Sequence, residues 1–222
     1  MTETIFMDED IQREVLDELL WDPAVEASEI GVTVDAGVVT LTGTVETYSM
    51  SSAAEAAAHR VRGVKAVANN IQVTPPSDRT RTDTDIAKAA ANALEWNARV
   101  PHQQIKTTVR DGWVTLEGHV RWHYQKVAAY KSVRDLMGVR GVSDLITVAA
   151  PSASAEEIKS KIEDSLTRSA LLDVERIQVD VRDGKVILKG SVDSWVERDK
   201  AEKTAWAAPG VTDVENQIAV SS

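Results

Sequence analysis

The histidine pair in the middle of the chain invites a chemical reading first. His119 and His123 lie four apart in Gly118-His119-Val120-Arg121-Trp122-His123, a spacing that on one continuous helix lets two imidazoles share a metal ion. Here the pair straddles the end of a predicted strand and the start of a predicted helix, so both rings are expected at the surface with no metal between them. Carboxylate pairs such as Asp17-Glu18 fall on the solvated face of a predicted helix, Asp111 and Asp183 precede glycine in turns, and no serine shares a nucleophile motif with a histidine. Neither G-x-G-x-x-G nor G-x-x-x-x-G-K-[ST] occurs, and the chain has no cysteine. The expectation is a protein with no catalytic residues, no cofactor and no metal.

A binding surface is the better prospect. Residues 96–134 hold Trp96, Trp113, Trp122, Tyr124 and Tyr130 close in sequence to Arg121, Lys126, Lys131 and Arg134. Rings that carry a polar edge, set beside cations, suit a membrane interface or the centre of a protein contact.

What positions these residues is a repeat. Gly37-Val38-Val39-Thr40-Leu41-Thr42-Gly43 recurs 75 residues on as Gly112-Trp113-Val114-Thr115-Leu116-Glu117-Gly118, and 72 further on as Gly184-Lys185-Val186-Ile187-Leu188-Lys189-Gly190. The same offsets carry Ile11 onto Ile86 and Ile158, and Gly63-Val64 onto Gly138-Val139 and Gly210-Val211. A gapless period of this size means tandem structural units, placed at 7–75, 82–149 and 154–222, with the Pro/Ser-rich stretches Thr74–Arg81 and Ala149–Ala153 as linkers.

Each unit opens with apolar residues four apart (Ile11, Val15, Leu19; Ile86, Ala90, Leu94; Ile158, Ile162, Leu166), which is one face of a helix. An alternating strand follows, then a turn at Ala36-Gly37, Asp111-Gly112 or Asp183-Gly184, then a second alternating strand. A second helix with small inward residues (Ala54, Ala58; Ala129, Val133; Ala201, Ala205) stops at a glycine, and a last strand closes the unit. The fold class is α+β: three tandem α-β-β-α-β modules, each a three-stranded sheet with two helices on one face.

The repeat also sorts the aromatics. Trp96 matches Trp21 and is expected to close the first helix against the core. Trp113 matches Val38 and Lys185, Trp122 matches Thr47 and Ser194, Tyr124 matches Ser49 and Val196, and Tyr130 matches Glu55 and Glu202. Rings at positions polar in sister copies are expected outside, with coverage of a neighbouring module the competing reading for Trp113 and Tyr130. Trp206, matching His59 and Arg134, is a candidate contact between modules.

Charge narrows the partner. The chain carries a net charge of −10, and residues 1–75 hold 13 acidic against 4 basic side chains while residues 83–150 hold 7 against 9. A chain without a basic stripe is not expected to bind nucleic acid, because phosphate neutralisation supplies most of that affinity. The start of the sequence has no basic stretch followed by an apolar run, so the expected compartment is the cytoplasm.

The D-x-x-I opening of Asp83 to Ile86, the V-x-D-G-x-V-x-L-x-G stretch of Val109 to Gly118 and the G-V-x-x-V-x-N-x-I-x-V ending of Gly210 to Val220 resemble the BON domain, in three copies over nearly the whole chain. The resemblance implies an α+β fold, no enzyme activity, and a role in stress or envelope physiology through attachment to anionic phospholipid, with potassium binding as the alternative. The expected contact residues are Trp113, Arg121, Trp122, Tyr124, Lys126 and Tyr130. The partner is an anionic phospholipid surface or a protein, and exposed strand edges leave a homo-oligomer open.

Overall fold

The computed structural model describes residues 7–77, 80–149, 153–169 and 176–220. The linker residues at 78–79 and 150–152 lie outside the described residues. Module 1 runs α1 (Asp8–Trp21), β1 (Ile30–Asp35), β2 (Val38–Val45), α2 (Tyr48–Arg60) and β3 (Ala66–Val73). Module 2 repeats this as α3 (Asp83–Trp96), β4 (Ile105–Arg110), β5 (Trp113–Val120), α4 (His123–Arg134) and β6 (Gly141–Val148). Module 3 does so as α5 (Ala155–Thr167), β7 (Ile177–Arg182), β8 (Lys185–Val192), α6 (Trp195–Trp206) and β9 (Asp213–Val220).

Each sheet has its own three strands, with the second in the centre, antiparallel to the first and parallel to the third. The parallel pair needs a crossover, and the second helix is that crossover. It lands on the same face as the first helix, so each module buries one apolar layer: Ile86, Ala90 and Leu94 against Val114, Leu116, Val120, Ala129 and Val133 in module 2, with equivalent clusters in its sisters.

Side chains fasten the helix starts to the hairpins. Thr82 and Asp85 form a reciprocal capping box at α3, and the hydroxyl of Ser154 accepts from Glu157 N. The acidic start of α1 does more than face solvent. The Asp8 carboxylate accepts the amides of Ala36 and Gly37 at 2.8 and 2.9 Å, and Asp83 accepts those of Asp111 and Gly112 at the same distances. Module 3 has Ala155 at this place and forms no such clamp among the described residues. Ala155→Asp is therefore expected to stabilise the third module by about 1 kcal/mol, read as a rise in the denaturant midpoint at unchanged slope.

Trp21 and Trp96 do not close their helices. They are 84% and 87% exposed, because each stands two residues past the buried Leu19 or Leu94, some 200° further round the helix and away from the sheet.

The modules close into a ring through their second helices. The first residue of each second helix (Tyr48, His123, Trp195) reaches the late part of the second helix in the next module. The Tyr48 hydroxyl hydrogen-bonds the Tyr130 hydroxyl at 3.1 Å. His123 stacks on Trp206, with ring centroids 4.0 Å apart and planes 8° from parallel. Trp195 returns to module 1, its ring 4.7 Å from that of His59 and its Nε1–H donating to the Val64 carbonyl. Tyr48, His123 and Trp195 share one position of the repeat, whereas their partners fall at two: His59 and Trp206 match each other, and Tyr130 matches Glu55 and Glu202 one helical turn earlier, so the three joints are related but not identical.

Candidate functional site

The six candidate contact residues do not form one surface. Trp113 and Arg121 sit at opposite ends of β5, eight residues and about 25 Å apart. Trp113 is on the outer sheet face as expected, 50% exposed. Its ring lies over Gly141, its cross-strand partner on β6, where a Cβ would come within 2.3 Å of the ring, and its Nε1–H donates to Ser143 Oγ at 2.8 Å. It has replaced the side chain that Gly141 lacks.

Two candidates belong to the scaffold. Tyr130 is held in the joint with Tyr48, whose half-buried phenol is kept well above its ordinary titration range by burial and by Tyr130. Covering the neighbouring module is thus what Tyr130 does. Lys126, expected as a free surface cation, donates to the Ile146 carbonyl at 2.7 Å and stands 3.9 Å from Asp144. Burial pushes Asp144 up against the pull of that ammonium. The reason is local: the outward carbonyls of the edge strand need a donor, and the first turn of the second helix is the element that overhangs them.

The remaining three come together. At the β5–α4 junction the Arg121 guanidinium lies 5.6 Å from the centroid of the Trp122 ring, within reach of a cation–π contact, and Tyr124 follows on the first turn with 57% of its surface exposed. The Gln125 carboxamide oxygen accepts from Arg121 N and Trp122 N, both at 3.0 Å, and fixes the turn that presents them. Sister modules use Thr47 and Ser194 here to cap the helix through their hydroxyls, accepting from Met50 N and Glu197 N. Trp122 offers no such cap, so module 2 has a large ring where its sisters have a local hydrogen bond. The residues beside it are Glu46 and Asp193 where module 2 has Arg121, and Ser49 and Val196 where it has Tyr124.

His123 corrects the expectation of a free surface histidine. Stacked in the joint, it is held neutral, its pKa lowered to about 4 by burial and by Lys126. His59 is likewise lowered by burial and by Arg198, against the pull of Glu55. Tyr48 and Trp195 match His123 in the repeat, yet the histidine by itself suggests a surface imidazole rather than a joint between modules. A ring in all three copies was the available signal, and it marks the assembly. No group of three or more His, Asp or Glu among the described residues is disposed to hold a metal ion. No described helix is long and apolar enough to cross a membrane.

The family profile described as BON domain matches residues 7–75, 82–150 and 154–222. Osmotically-inducible protein Y of Escherichia coli (strain K12) is 31% identical over 173 residues, covering 68% of this chain and 84% of its own. Among solved structures, CdsD, a structural protein of the type III secretion system of Chlamydia trachomatis, aligns over 94% of this chain and 91% of its own with 15% identity and a TM-score of 0.25. Its C-terminal domain aligns over 97% and 99% with 14% identity and a TM-score of 0.26.

Proposed function

This chain belongs to the BON domain family, and on that premise we propose that it is a non-enzymatic, stress-linked binding protein that attaches to anionic phospholipid surfaces through module 2. The observation that carries the reading is the Arg121–Trp122–Tyr124 patch, cationic and aromatic where the sister copies carry Glu46, Thr47 and Ser49, or Asp193, Ser194 and Val196. Rings of this kind favour the headgroup region, and each cation near an anionic surface contributes about 1 kcal/mol. The name of the osmotically inducible relative supports the stress connection. With the cytoplasm as its compartment, the protein would meet the anionic lipids of a cytoplasmic leaflet.

Charge distribution sets how it would sit. Residues 1–75, with 13 acidic against 4 basic side chains, are repelled by the surface that attracts module 2. Attachment is therefore weak, oriented and salt-sensitive. Co-sedimentation with vesicles of neutral lipid alone, and of neutral lipid mixed with about a third anionic lipid, is the test. The expected result is binding to the anionic vesicles at low salt that falls several-fold on reaching physiological ionic strength, with little on the neutral ones. Equal recovery with both compositions, or none with either, would reject the lipid reading and leave a protein partner for this patch.

A further inference from the structure

We infer that module 1 carries a binding site for the ammonium group of an aliphatic polyamine, in the cleft between its edge strand and the outer sheet face of module 2. The inference comes from what the three copies do at one position. In each module the last strand is an edge strand with groups turned outward. The outward amide is taken by a side chain two residues before it: Ile71 N by Asn69, Ile146 N by Asp144 and Ile218 N by Asn216, at 3.2, 3.1 and 3.2 Å. The outward carbonyl is taken by a cation from the first turn of the second helix. Lys126 Nζ donates to Ile146 O at 2.7 Å, and Arg198 donates to Ile218 O at 3.0 Å and to Asn216 O at 2.6 Å.

Module 1 has Ser51 at this position. Its hydroxyl stops at Asn69, 3.4 Å away, and among the described residues no side chain donates to the Ile71 carbonyl. The surroundings of the missing cation are nevertheless kept. Asn69 Nδ2 donates to Glu55 Oε2 at 3.0 Å, just as Asn216 Nδ2 donates to Glu202 in module 3 at the same distance. Tyr48 stands where Trp195 lies 4.9 Å from the Arg198 guanidinium. Carbonyl, carboxylate and ring together form a cation's environment, and among the described residues no lysine or arginine donates to that carbonyl.

That environment opens into a cleft of about 940 Å³ lined by Tyr48, Ser51, Glu55, Asn69 and Ile71 on one wall and by Trp113 on the other. The volume admits an alkyl chain as well as its ammonium head, and the half-exposed Trp113 ring offers the stem an apolar surface. Arg110 and Arg140 on the second wall are balanced by Asp111 and Glu117, so that wall carries no net charge. The excess of acidic over basic side chains in residues 1–75, 13 against 4, favours the remaining amines of a polyamine on the module 1 side.

Titration calorimetry of the full chain with spermidine, at constant ionic strength in potassium and in sodium salts, tests this. The expected result is one saturable site that neither salt displaces at matched strength, lost at least ten-fold in Ser51→Lys, which supplies in cis the ammonium that Lys126 supplies in module 2. Glu55→Gln should weaken it at least five-fold, and keeps the test sharp if the lysine at 51 compromises folding. Glu14→Gln, the same charge change on the exposed face of α1, should leave it unchanged. Absence of saturable binding, equal loss in Glu14→Gln and Glu55→Gln, or undiminished binding in a folded Ser51→Lys chain would each overturn the inference.

Discussion

Gly118→Ala is expected to unfold module 2 and open the ring, at a loss of about 3 kcal/mol or more. Gly118 has φ +143°, a region that side chains rarely enter, and a Cβ built there would lie 2.1 Å from the carbonyl oxygen of Gln104. The obstacle is backbone at the start of β4, paired through Ile105 with Gly118 itself, so it cannot turn aside as a flexible side chain would. The two sister glycines face the same obstacle, at 2.0 Å from Glu29 O for Gly43 and 1.9 Å from Arg176 O for Gly190. A unit of this size has a thin core and a margin of only a few kcal/mol, so one added carbon takes most of it. Denaturant unfolding of the full chain, followed by far-ultraviolet circular dichroism, reads this as an early transition covering about a third of the signal. A midpoint within error of the unmodified protein would show that the strand relaxes around the methyl group.

The joints should respond to acid. His123 is held neutral in its stack on Trp206 with a pKa of about 4, whereas in an unfolded chain it titrates near 6.5. A lowered pKa in a base means that the unfolded or opened state takes the proton first. The joint's stability is complete above pH 6.5 and is lost as pH falls from 6.5 toward 4. The span of the shift would be worth about 3 kcal/mol if fully expressed, and the partial exposure of the ring brings the expectation to about 1–2 kcal/mol. His59, lowered in the same direction, adds to the effect at the joint with Trp195. Thermal midpoints across pH 7.5 to 4.5 should fall for the unmodified chain, and His123→Phe should flatten much of that slope while keeping a ring in the stack. An unchanged slope in His123→Phe would assign acid sensitivity to His59 and the carboxylates instead.

Much of the fold was legible because the repeat made each inward position visible three times. Val39, Leu41 and Val45, with their counterparts, are buried as the alternation requires. The misread residues share a cause. The match of Trp96 to Trp21 suggests an inward ring, yet a matched residue marks only a shared environment, and here that environment is solvent. Tyr130 matches polar residues, which leaves surface and joint both open, and Lys126 reads as a surface cation from composition alone. A polar equivalent also describes a joint between modules, or a donor turned back onto the edge strand. Neither the strand order nor the ring has a sequence signature in one module, since both depend on contacts between segments far apart. The Arg121–Trp122–Tyr124 patch was legible as composition, but its separation from Trp113 needed the sheet.

The patch can be tested by giving module 2 the residues of module 1. Arg121→Glu, Trp122→Thr and Tyr124→Ser together reproduce Glu46, Thr47 and Ser49, a set the same fold already carries, and Thr at the helix start restores the cap that Thr47 makes to Met50 N. The variant should therefore melt no lower than the unmodified chain, while its partitioning onto anionic vesicles at low salt falls at least ten-fold. A stable variant that co-sediments as well as the unmodified protein would contradict the assignment of this surface to membrane attachment.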